Sequence, residues 1–189
     1  MKYRFFVIWF SGLSGSGKTT LSTSLCQELC KYGYKLKVLD GDILRGGLNR
    51  DLGFALKDRN ENIRRAAEIN KLFLEEEFIV INSFITPMES MRDMAKDIIG
   101  EENFFHIYLN TPLKVCIERD PKGLYTLCKN GKIEDMTGIQ SAFEPCNNAD
   151  IVLDTSGISI SSCIDRIIIS LQERFNFSKC NGWAQTLKI

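Results

Sequence analysis

Short apolar runs alternate with stretches of helical periodicity along this chain. Continuous apolar runs are typical of strands that are buried on both faces of a parallel sheet. Five segments are predicted as strands: residues 5–10, 35–39, 78–82, 104–109 and 151–153. Because helical patterns separate most of these runs, the order indicates an α/β fold with a mainly parallel, doubly wound sheet.

The helical patterns predict the helices of this fold and the end of the folded domain. Helices are predicted from residue 20 onward and over residues 61–77, 89–99, 113–119 and 159–175. Ser159 is a plausible N-cap for the last helix, whose apolar stripe indicates core packing. The length of 189 residues suits one domain, predicted over residues 1–175. Residues 176–189 lose the periodicity and are predicted as a short C-terminal extension of undefined role.

The segment after the first apolar run matches the phosphate-binding pattern G-x-x-x-x-G-K-[ST]. Its residues are Gly12, Leu13, Ser14, Gly15, Ser16, Gly17, Lys18 and Thr19. Glycines let successive backbone N–H groups point at phosphates, and the following helix adds the positive end of its dipole. Lys18 is expected to reach the β- and γ-phosphates, and Thr19 to offer its hydroxyl to Mg²⁺. A turn that binds nothing is the alternative, which the flanking strand and helix disfavour.

Composition and charge argue against several kinds of binding partner and metal site. Lys plus Arg and Asp plus Glu both total 24, so the net charge of +0 gives no global attraction to nucleic acid or anionic membranes. No apolar run approaches the ~20 residues needed to span a bilayer, so a cytoplasmic protein is expected. Seven cysteines and one histidine form no zinc or disulfide pattern. Cys26 and Cys30 are expected to be small buried residues rather than a thiol pair, and His106 a strand residue rather than a catalyst.

Polar residues that directly follow strands mark the expected binding edge of the sheet. Asp40 and Asp42 follow the second strand, where a carboxylate can hold water on Mg²⁺ or orient an acceptor hydroxyl. A simple turn is the alternative for Asp-Gly-Asp. Arg59 and Asn62, three residues apart near a predicted helix start, can point toward the same edge. Phe54 could be an exposed stacking platform or a core anchor, and the sequence leaves both open.

Longer motifs carry a resemblance to a known family. The sequence reads LDGDILRGGLNRDLGF at residues 39–54 and DRNENIRR at residues 58–65. Further matches lie at residues 85–87, 119–125, 137–139 and 143–144. With these motifs the chain resembles the adenylylsulphate kinase (APS kinase) family over roughly residues 8–155. That family phosphorylates the 3′-hydroxyl of adenosine 5′-phosphosulfate with MgATP, and the resemblance implies a P-loop kinase fold, a three-layer α/β/α sandwich.

The resemblance also implies roles for particular residues. For ATP it implies the phosphate loop with Arg119 and Thr155, and for Mg²⁺ Thr19 and Asp40. For the acceptor it implies Asp42, Arg45, Phe54, Arg59, Asn62, Ile85, Lys122, Leu124 and Met136. Lys18, Asp42 and Thr86 are the implied catalytic residues, although a loop-structuring role for Thr86 is an equal alternative. Residues 119–136 would form a mobile lid. Thr86 and Met136 stand where the family usually has serine and phenylalanine.

The remaining expectations concern the binding partners of the protein and the alternative functions. The resemblance implies a homodimer and a functional link to ATP sulfurylase, with no nucleic-acid or membrane partner. One alternative is a kinase of the same fold acting on another nucleoside 5′-diphosphate-like acceptor. A second is a P-loop ATPase switch, and a third is a catalytically silent subunit. A GTPase is disfavoured, because the Asn70-Lys71 pair is followed by Leu72-Phe73 rather than the guanine-reading x-Asp.

Overall fold

A five-stranded parallel sheet forms the centre of the molecule. The computed structural model describes residues 5–176. The strands are β1 (Val7–Gly12), β2 (Lys35–Asp40), β3 (Phe78–Ser83), β4 (Phe104–Leu109) and β5 (Ile151–Leu153), in the order β2-β3-β1-β4-β5. All four pairings are parallel, with β1 in the middle between β3 and β4. The predicted α/β class with a parallel, doubly wound sheet is confirmed.

Helices cover both faces of this sheet. They are α1 (Lys18–Cys30), α2 (Gly41–Gly46), α3 (Leu56–Glu75), α4 (Glu89–Ile99), α5 (Leu113–Arg119), α6 (Leu124–Lys129) and α7 (Ile160–Phe175), with a 3₁₀ turn at Glu101–Asn103. One apolar cluster joins the sheet to α1 and α7, and a second joins it to α3 and α4. The result is the three-layer α/β/α sandwich.

The burial of β1 explains its continuous apolar sequence. Phe6, Ile8 and Phe10 belong to the cluster with α1 and α7, whereas Val7 and Trp9 belong to the cluster with α3 and α4. All five side chains are fully buried. Successive side chains of a strand point to opposite faces, so a strand covered on both faces needs apolar residues at every position.

At the amino-terminal end of the central strand, helix α7 packs against the residues that begin β1. The rings of Phe175 and Phe6 stack with centroids 4.1 Å apart and planes inclined by 7°. The predicted N-cap of this helix is also present, since the Ser159 hydroxyl accepts a hydrogen bond from the Ser162 N–H at 3.1 Å. Residues 177–189, which make up nearly all of the predicted extension, lie outside the described residues.

Some predicted elements differ from the structure. Helix α3 begins at Leu56, five residues before the predicted start, because its N-cap Ala55 has no side chain that signals a helix start. Helices α2 and α6 were not predicted, since six residues are too few to show a helical period. Cys30 is exposed, so the expectation of a buried residue is wrong there.

Two further expectations concern His106 and membranes. His106 lies buried in β4, and its Nε2 is 2.7 Å from the Ser11 hydroxyl. Burial and the neighbouring Arg92 charge lower the pKa of His106 to about 3, so the ring is neutral at physiological pH. Within residues 5–176, none of the helices has the length and apolar character required to cross a bilayer.

Candidate active site

The phosphate loop connects the end of β1 to the start of α1. Gly12 and Gly15 have φ angles of 141° and 75°, a region that side chains rarely adopt. A Cβ atom at Gly12 would lie 2.8 Å from the Leu109 carbonyl oxygen, and one at Gly15 would lie 2.7 Å from that of Cys116. The glycines therefore let the loop approach β4 and α5 closely, which fixes its shape above the sheet.

Lys18 folds back onto the loop that precedes it. Its Nζ donates hydrogen bonds to the carbonyl oxygens of Gly12 at 2.9 Å and Leu13 at 2.7 Å. Burial, followed by repulsion from the Lys122 ammonium, lowers the pKa of Lys18 to about 8. An anionic phosphate beside this amine would favour its charged form, so Lys18 is a group whose protonation responds to the ligand.

Thr19 and Asp40 are brought into contact at the carboxyl end of β2. The Thr19 hydroxyl donates to Asp40 Oδ2 at 3.1 Å, while Asp40 Oδ1 accepts from the Asp42 N–H at 2.9 Å as the N-cap of α2. Hydroxyl and carboxylate oxygens are the hard ligands that Mg²⁺ favours, usually together with waters and substrate phosphates. The pair therefore suits a magnesium ion beside the phosphate loop.

Arg119 and Thr155 close the opposite side of the loop. Arg119, the last residue of α5, donates to the hydroxyl and the carbonyl oxygen of Thr155 at 2.8 and 2.7 Å. The Thr155 hydroxyl in turn donates to the Ser16 carbonyl oxygen at 2.9 Å. These contacts join α5, the end of β5 and the phosphate loop into one connected wall.

A single cavity of about 1080 Å³ runs from the phosphate loop to α3 and the lid. Most of the predicted site residues line it: Ser14, Gly15, Gly17, Lys18, Thr19, Asp40, Asp42, Arg45, Phe54, Arg59, Asn62, Ile85, Thr86, Arg119, Lys122, Leu124, Met136 and Thr155. Gly12, Leu13 and Ser16 do not line it. Leu13 instead packs against a small buried cluster of Cys116, Tyr125, Cys128 and Met136.

Phe54 lines this cavity and has two arginines around its ring. The Phe54 side chain is 60% exposed, so the interpretation as a core anchor is wrong. The guanidinium carbons of Arg45 and Arg59 lie 4.7 and 5.9 Å from the centroid of its ring. Burial is the main cause that lowers the pKa of both guanidinium groups. An aromatic face flanked by two partly desolvated cations suits a nucleobase linked to an anion.

Arg59 also connects α3 to the lid. Its Nη1 donates to the Thr137 hydroxyl at 2.7 Å, its Nη2 to the Asp135 carbonyl oxygen at 2.6 Å, and its Nε to the Phe54 carbonyl oxygen at 2.7 Å. One side chain therefore holds the Phe54 loop, the first turns of α3 and the end of the lid together.

The lid contributes a cation and an apolar wall. The Lys122 ammonium forms a close ion pair with the Asp42 carboxylate, and both side chains line the cavity. Met136 is buried in a small cluster with Cys116 and Tyr125, and Leu124 packs against that cluster. The predicted lid thus has its own apolar core in this structure, including the short helix α6.

Thr86 lies in a constrained loop at the carboxyl end of β3. Its φ of 44° is unusual for a β-branched residue, and its hydroxyl accepts a hydrogen bond from Trp9 Nε1 at 2.9 Å. The buried Arg92 donates to the carbonyl oxygens of Thr86 at 3.2 Å and Glu144 at 3.0 Å. Thr86 is therefore held from two sides, and Arg92 ties its loop to the segment that follows the lid.

The described geometry brings a phosphate loop, an exposed aromatic ring with two arginines and a lysine of the lid into one cavity. The model of the family described as Adenylylsulphate kinase matches residues 4–154. This chain belongs to the adenylylsulphate kinase family.

Relatives in the adenylylsulphate kinase family support this assignment. An adenylyl-sulfate kinase of Bacteroides thetaiotaomicron is 46% identical over 162 residues, covering 86% of this chain and 81% of its own. The APS kinase CysC of Mycobacterium tuberculosis, solved in complex with AMPPNP and APS, superposes with a TM-score of 0.86 at 37% identity, covering 90% and 99% of the two chains. A hexameric APS kinase from Thiobacillus denitrificans has a TM-score of 0.68 at 25% identity, covering 90% of this chain and 29% of that one.

Three residues of this adenylylsulphate kinase site were missed by the sequence reasoning. Arg92 was not singled out, Thr137 appeared only within the motif at residues 137–139, and Asn49 only within the motif at residues 39–54. Each acts through a partner that is distant in sequence, such as Glu144 for Arg92. A buried polar residue on an amphipathic helix face is a weak signal that could have drawn attention to Arg92.

Proposed function

We propose that this chain is an adenylyl-sulfate kinase, which transfers the γ-phosphoryl group of ATP to the 3′-hydroxyl of adenosine 5′-phosphosulfate. The observation that carries the proposal is the shared cavity of about 1080 Å³, which is lined both by the phosphate loop and by Phe54, Arg45 and Arg59. Such a cavity suits two nucleotides that face each other. The Mycobacterium tuberculosis relative, solved with AMPPNP and APS, supports the same pairing of ligands.

On the donor side, the loop N–H groups and Lys18 would bind the ATP phosphates. Lys18 would exchange its hydrogen bonds to the Gly12 and Leu13 carbonyl oxygens for bonds to phosphate oxygens. Thr19 and Asp40 would hold Mg²⁺, which supplies charge neutralisation at the phosphates when bound. Arg119, held on Thr155, would cover the nucleotide from the lid side.

On the acceptor side, Phe54 would stack on the adenine while Arg45, Arg59 and Asn62 bind the phosphosulfate. Ile85, Leu124 and Met136 supply apolar wall. Asp42 would orient the 3′-hydroxyl and accept its proton as the new O–P bond forms and the bond to the departing ADP oxygen breaks. The Lys122 ammonium, which is paired with Asp42 and lines the cavity, would stabilise the transferred group.

Water exclusion is the second task of this site, because a phosphoryl group positioned for transfer also reacts with water. The lid is anchored by Arg119 on Thr155 and by Arg59 on Asp135 and Thr137. Thr86 is constrained by Trp9 and Arg92, and we assign it a structuring role rather than a covalent one. Direct transfer needs only positioning and charge stabilisation.

A second candidate function keeps the chemistry and changes the acceptor. Met136 lines the acceptor end of the cavity, and a thioether packs less rigidly on a base than an aromatic ring does. This observation favours tolerance of another nucleoside carrying a 5′-phosphosulfate or diphosphate.

The test is a coupled assay that follows ADP release with adenosine 5′-phosphosulfate as acceptor, with the product analysed for a 3′-phosphate. We expect strong dependence on this acceptor and little hydrolysis of ATP in its absence. Equal rates with a cytidine analogue would favour the second candidate. ATP hydrolysis that is unchanged by any acceptor would favour an ATPase switch.

The proposal includes a cytoplasmic homodimer that works in sulfate activation beside an ATP sulfurylase. Light scattering after size-exclusion chromatography tests the dimer, for which a hexameric relative is the competing precedent. A two-enzyme assay starting from sulfate and ATP tests the functional link. A single domain over residues 1–175 stays a prediction, which limited proteolysis can test.

A further inference from the structure

Asn49 is a fully buried polar residue for which the proposed reaction has no role so far. It lies in the segment after α2, where its N–H donates to the Leu44 carbonyl oxygen at 2.8 Å and its carbonyl oxygen accepts from the Leu52 N–H at 3.1 Å. Its side chain reaches α3, because Asn49 Nδ2 donates to Asn62 Oδ1 at 2.9 Å. The buried amide thus touches a residue of the cavity wall without lining the cavity itself.

Packing alone does not account for an amide at this position. Asn49 Oδ1 is buried and has no hydrogen-bond partner within residues 5–176. A buried acceptor without a partner is unfavourable, and leucine, which is similar in size, would avoid that cost. Local violations of this kind concentrate at functional sites, where another gain compensates them.

The compensating gain is the orientation of the Asn62 carboxamide. Asn62 is 5% exposed and lines the cavity, as Arg45 and Arg59 also do. A carboxamide has its acceptor oxygen on one side and its donor NH₂ group on the other. Since Asn62 Oδ1 is bonded to Asn49, its NH₂ group is the part left for the cavity, and no described residue accepts a hydrogen bond from it.

We propose that Asn49 is a positioning residue, which holds the Asn62 NH₂ group toward the anionic phosphosulfate of the acceptor. The inference rests on the proposed function. Reversal of the Asn62 amide would present a carbonyl oxygen to the anion beside Arg45 and Arg59, which replaces an attraction by a repulsion. Asn49 opposes that reversal without touching substrate, because its donor group faces Asn62 and the Asn62 amide can keep this hydrogen bond on reversal only if the Asn49 amide reverses as well.

The decisive variant is Asn49→Asp, assayed at pH 8. An ionised carboxylate only accepts hydrogen bonds, so it selects the reversed Asn62 amide. We expect the KM for adenosine 5′-phosphosulfate to rise roughly 10- to 100-fold, as for a lost hydrogen bond to a charged group, while the KM for ATP stays within about twofold. Asn49→Leu removes the donor without imposing the reversal, and we expect a smaller rise of roughly threefold to tenfold.

A double-mutant cycle separates orientation from packing. If Asn49 acts through Asn62, then adding Asn49→Asp to Asn62→Ala leaves the acceptor KM of Asn62→Ala unchanged. Additive effects in the cycle, or an acceptor KM of Asn49→Asp within twofold of the parent enzyme, would overturn the proposal. If Asn49→Asp does not fold, as judged by thermal unfolding, the same cycle with Asn49→Leu decides.

Turnover of the parent enzyme is measured first, so that the proposed function and the role of Asn49 can be contradicted separately. Absence of 3′-phosphorylation in the parent enzyme contradicts the proposed function. A working parent enzyme with an additive cycle contradicts only the role of Asn49.

Discussion

The phosphate-loop part of the cavity, which is the donor end in the proposed reaction, and the Phe54 part, which is its acceptor end, are built in different ways. At the donor end, Lys18 and Thr19 begin α1 after the loop that leaves the fully buried β1, and Thr155 follows β5. At the acceptor end, Phe54 is 60% exposed and belongs to a loop between two helices, and its neighbours Arg45 and Arg59 come from α2 and α3. Arg59 in turn is bonded to the lid. The donor end is therefore fixed by the sheet, whereas the acceptor end depends on side chains that hold loops together.

This difference indicates which part of the cavity can select one substrate over another. Backbone N–H groups at a helix N-terminus recognise phosphate in any nucleotide, so the donor end is generic. Aromatic and guanidinium side chains recognise the shape and charge of one acceptor, and each can change without disturbing the sheet. Substitutions at the two ends should consequently affect different kinetic constants.

The largest effect is expected for Lys18→Ala at the donor end. Loss of its charge at the transferred phosphate should lower kcat by roughly 10³-fold, with little change in the acceptor KM. Steady-state kinetics with both substrates varied measures this. Lys114→Ala, at an exposed position of α5, is the control and should behave like the parent enzyme. A loss below tenfold in Lys18→Ala would remove the donor end from the mechanism.

Arg59→Met should act mainly at the acceptor end. Methionine keeps an apolar stem but loses the charge and the three hydrogen bonds to the Phe54 loop and the lid. We expect the acceptor KM to rise about 100-fold and the KM for ATP by less than threefold. Arg64→Met, on the exposed face of the same helix, is the matched control. An equal rise in both KM values would show that the two ends are not independent.

Phe54→Ala should have a smaller effect at the same end. Stacking on a base contributes about 1–3 kcal/mol, so the acceptor KM should rise roughly tenfold. Because the ring is exposed, the Tm should shift by no more than about 2 °C. Phe54→Tyr should retain the parent KM, and Leu72→Ala, another exposed apolar position, controls for general surface effects. An unchanged acceptor KM in Phe54→Ala would exclude the stacking role.

The smallest effect concerns pH at the donor end. The pKa of Lys18 is lowered to about 8 in the empty site by burial and by Lys122, and ATP phosphates would raise it. ATP affinity should be constant below about pH 7 and fall as the pH rises through 8, by about fourfold at pH 8.5. Calorimetry in two buffers should detect uptake of roughly 0.8 proton per ATP at that pH.

Lys18→Met provides the control for this proton uptake, since it has no titrating amine. Acceptor affinity in the parent enzyme should show no change that mirrors the uptake. If Lys18→Met retained the uptake, another group would be responsible for it.

Elements with clear boundaries could be predicted from the sequence. The predicted bounds of β4, α4 and α5 equal the observed ones, because each is an apolar or amphipathic run between breaks such as Gly100 and Pro112. The phosphate loop could be predicted because its motif is local. The start of α3 could not, since Ala55 offers no capping side chain. Helix α6 lies within the segment that was expected only as a lid.

The acceptor end was less accessible to prediction from pattern alone. Phe54 was undecided because a lone aromatic residue among turn formers fits either environment, and only its exposure resolved this. The resemblance to the family pointed to Arg45 and Arg59, but not to the contact of Arg59 with Thr137. Arg92 and Asn49 depend on partners in other elements, and no local sequence pattern reports such long-range hydrogen bonds.

The stacking of Phe175 on Phe6 joins the beginning of β1 to a helix that is synthesised much later. Strand β1 leaves the ribosome first, yet its sheet neighbours β3 and β4 follow much later, and α7 completes the cover of one face only at residue 175. Pairings between distant segments form slowly and leave apolar surface exposed in the meantime. In a nascent chain that ends before α7, the apolar side chains on one face of β1 would stay exposed to chaperones and proteases. We therefore expect α7 to complete the burial of the core on that face.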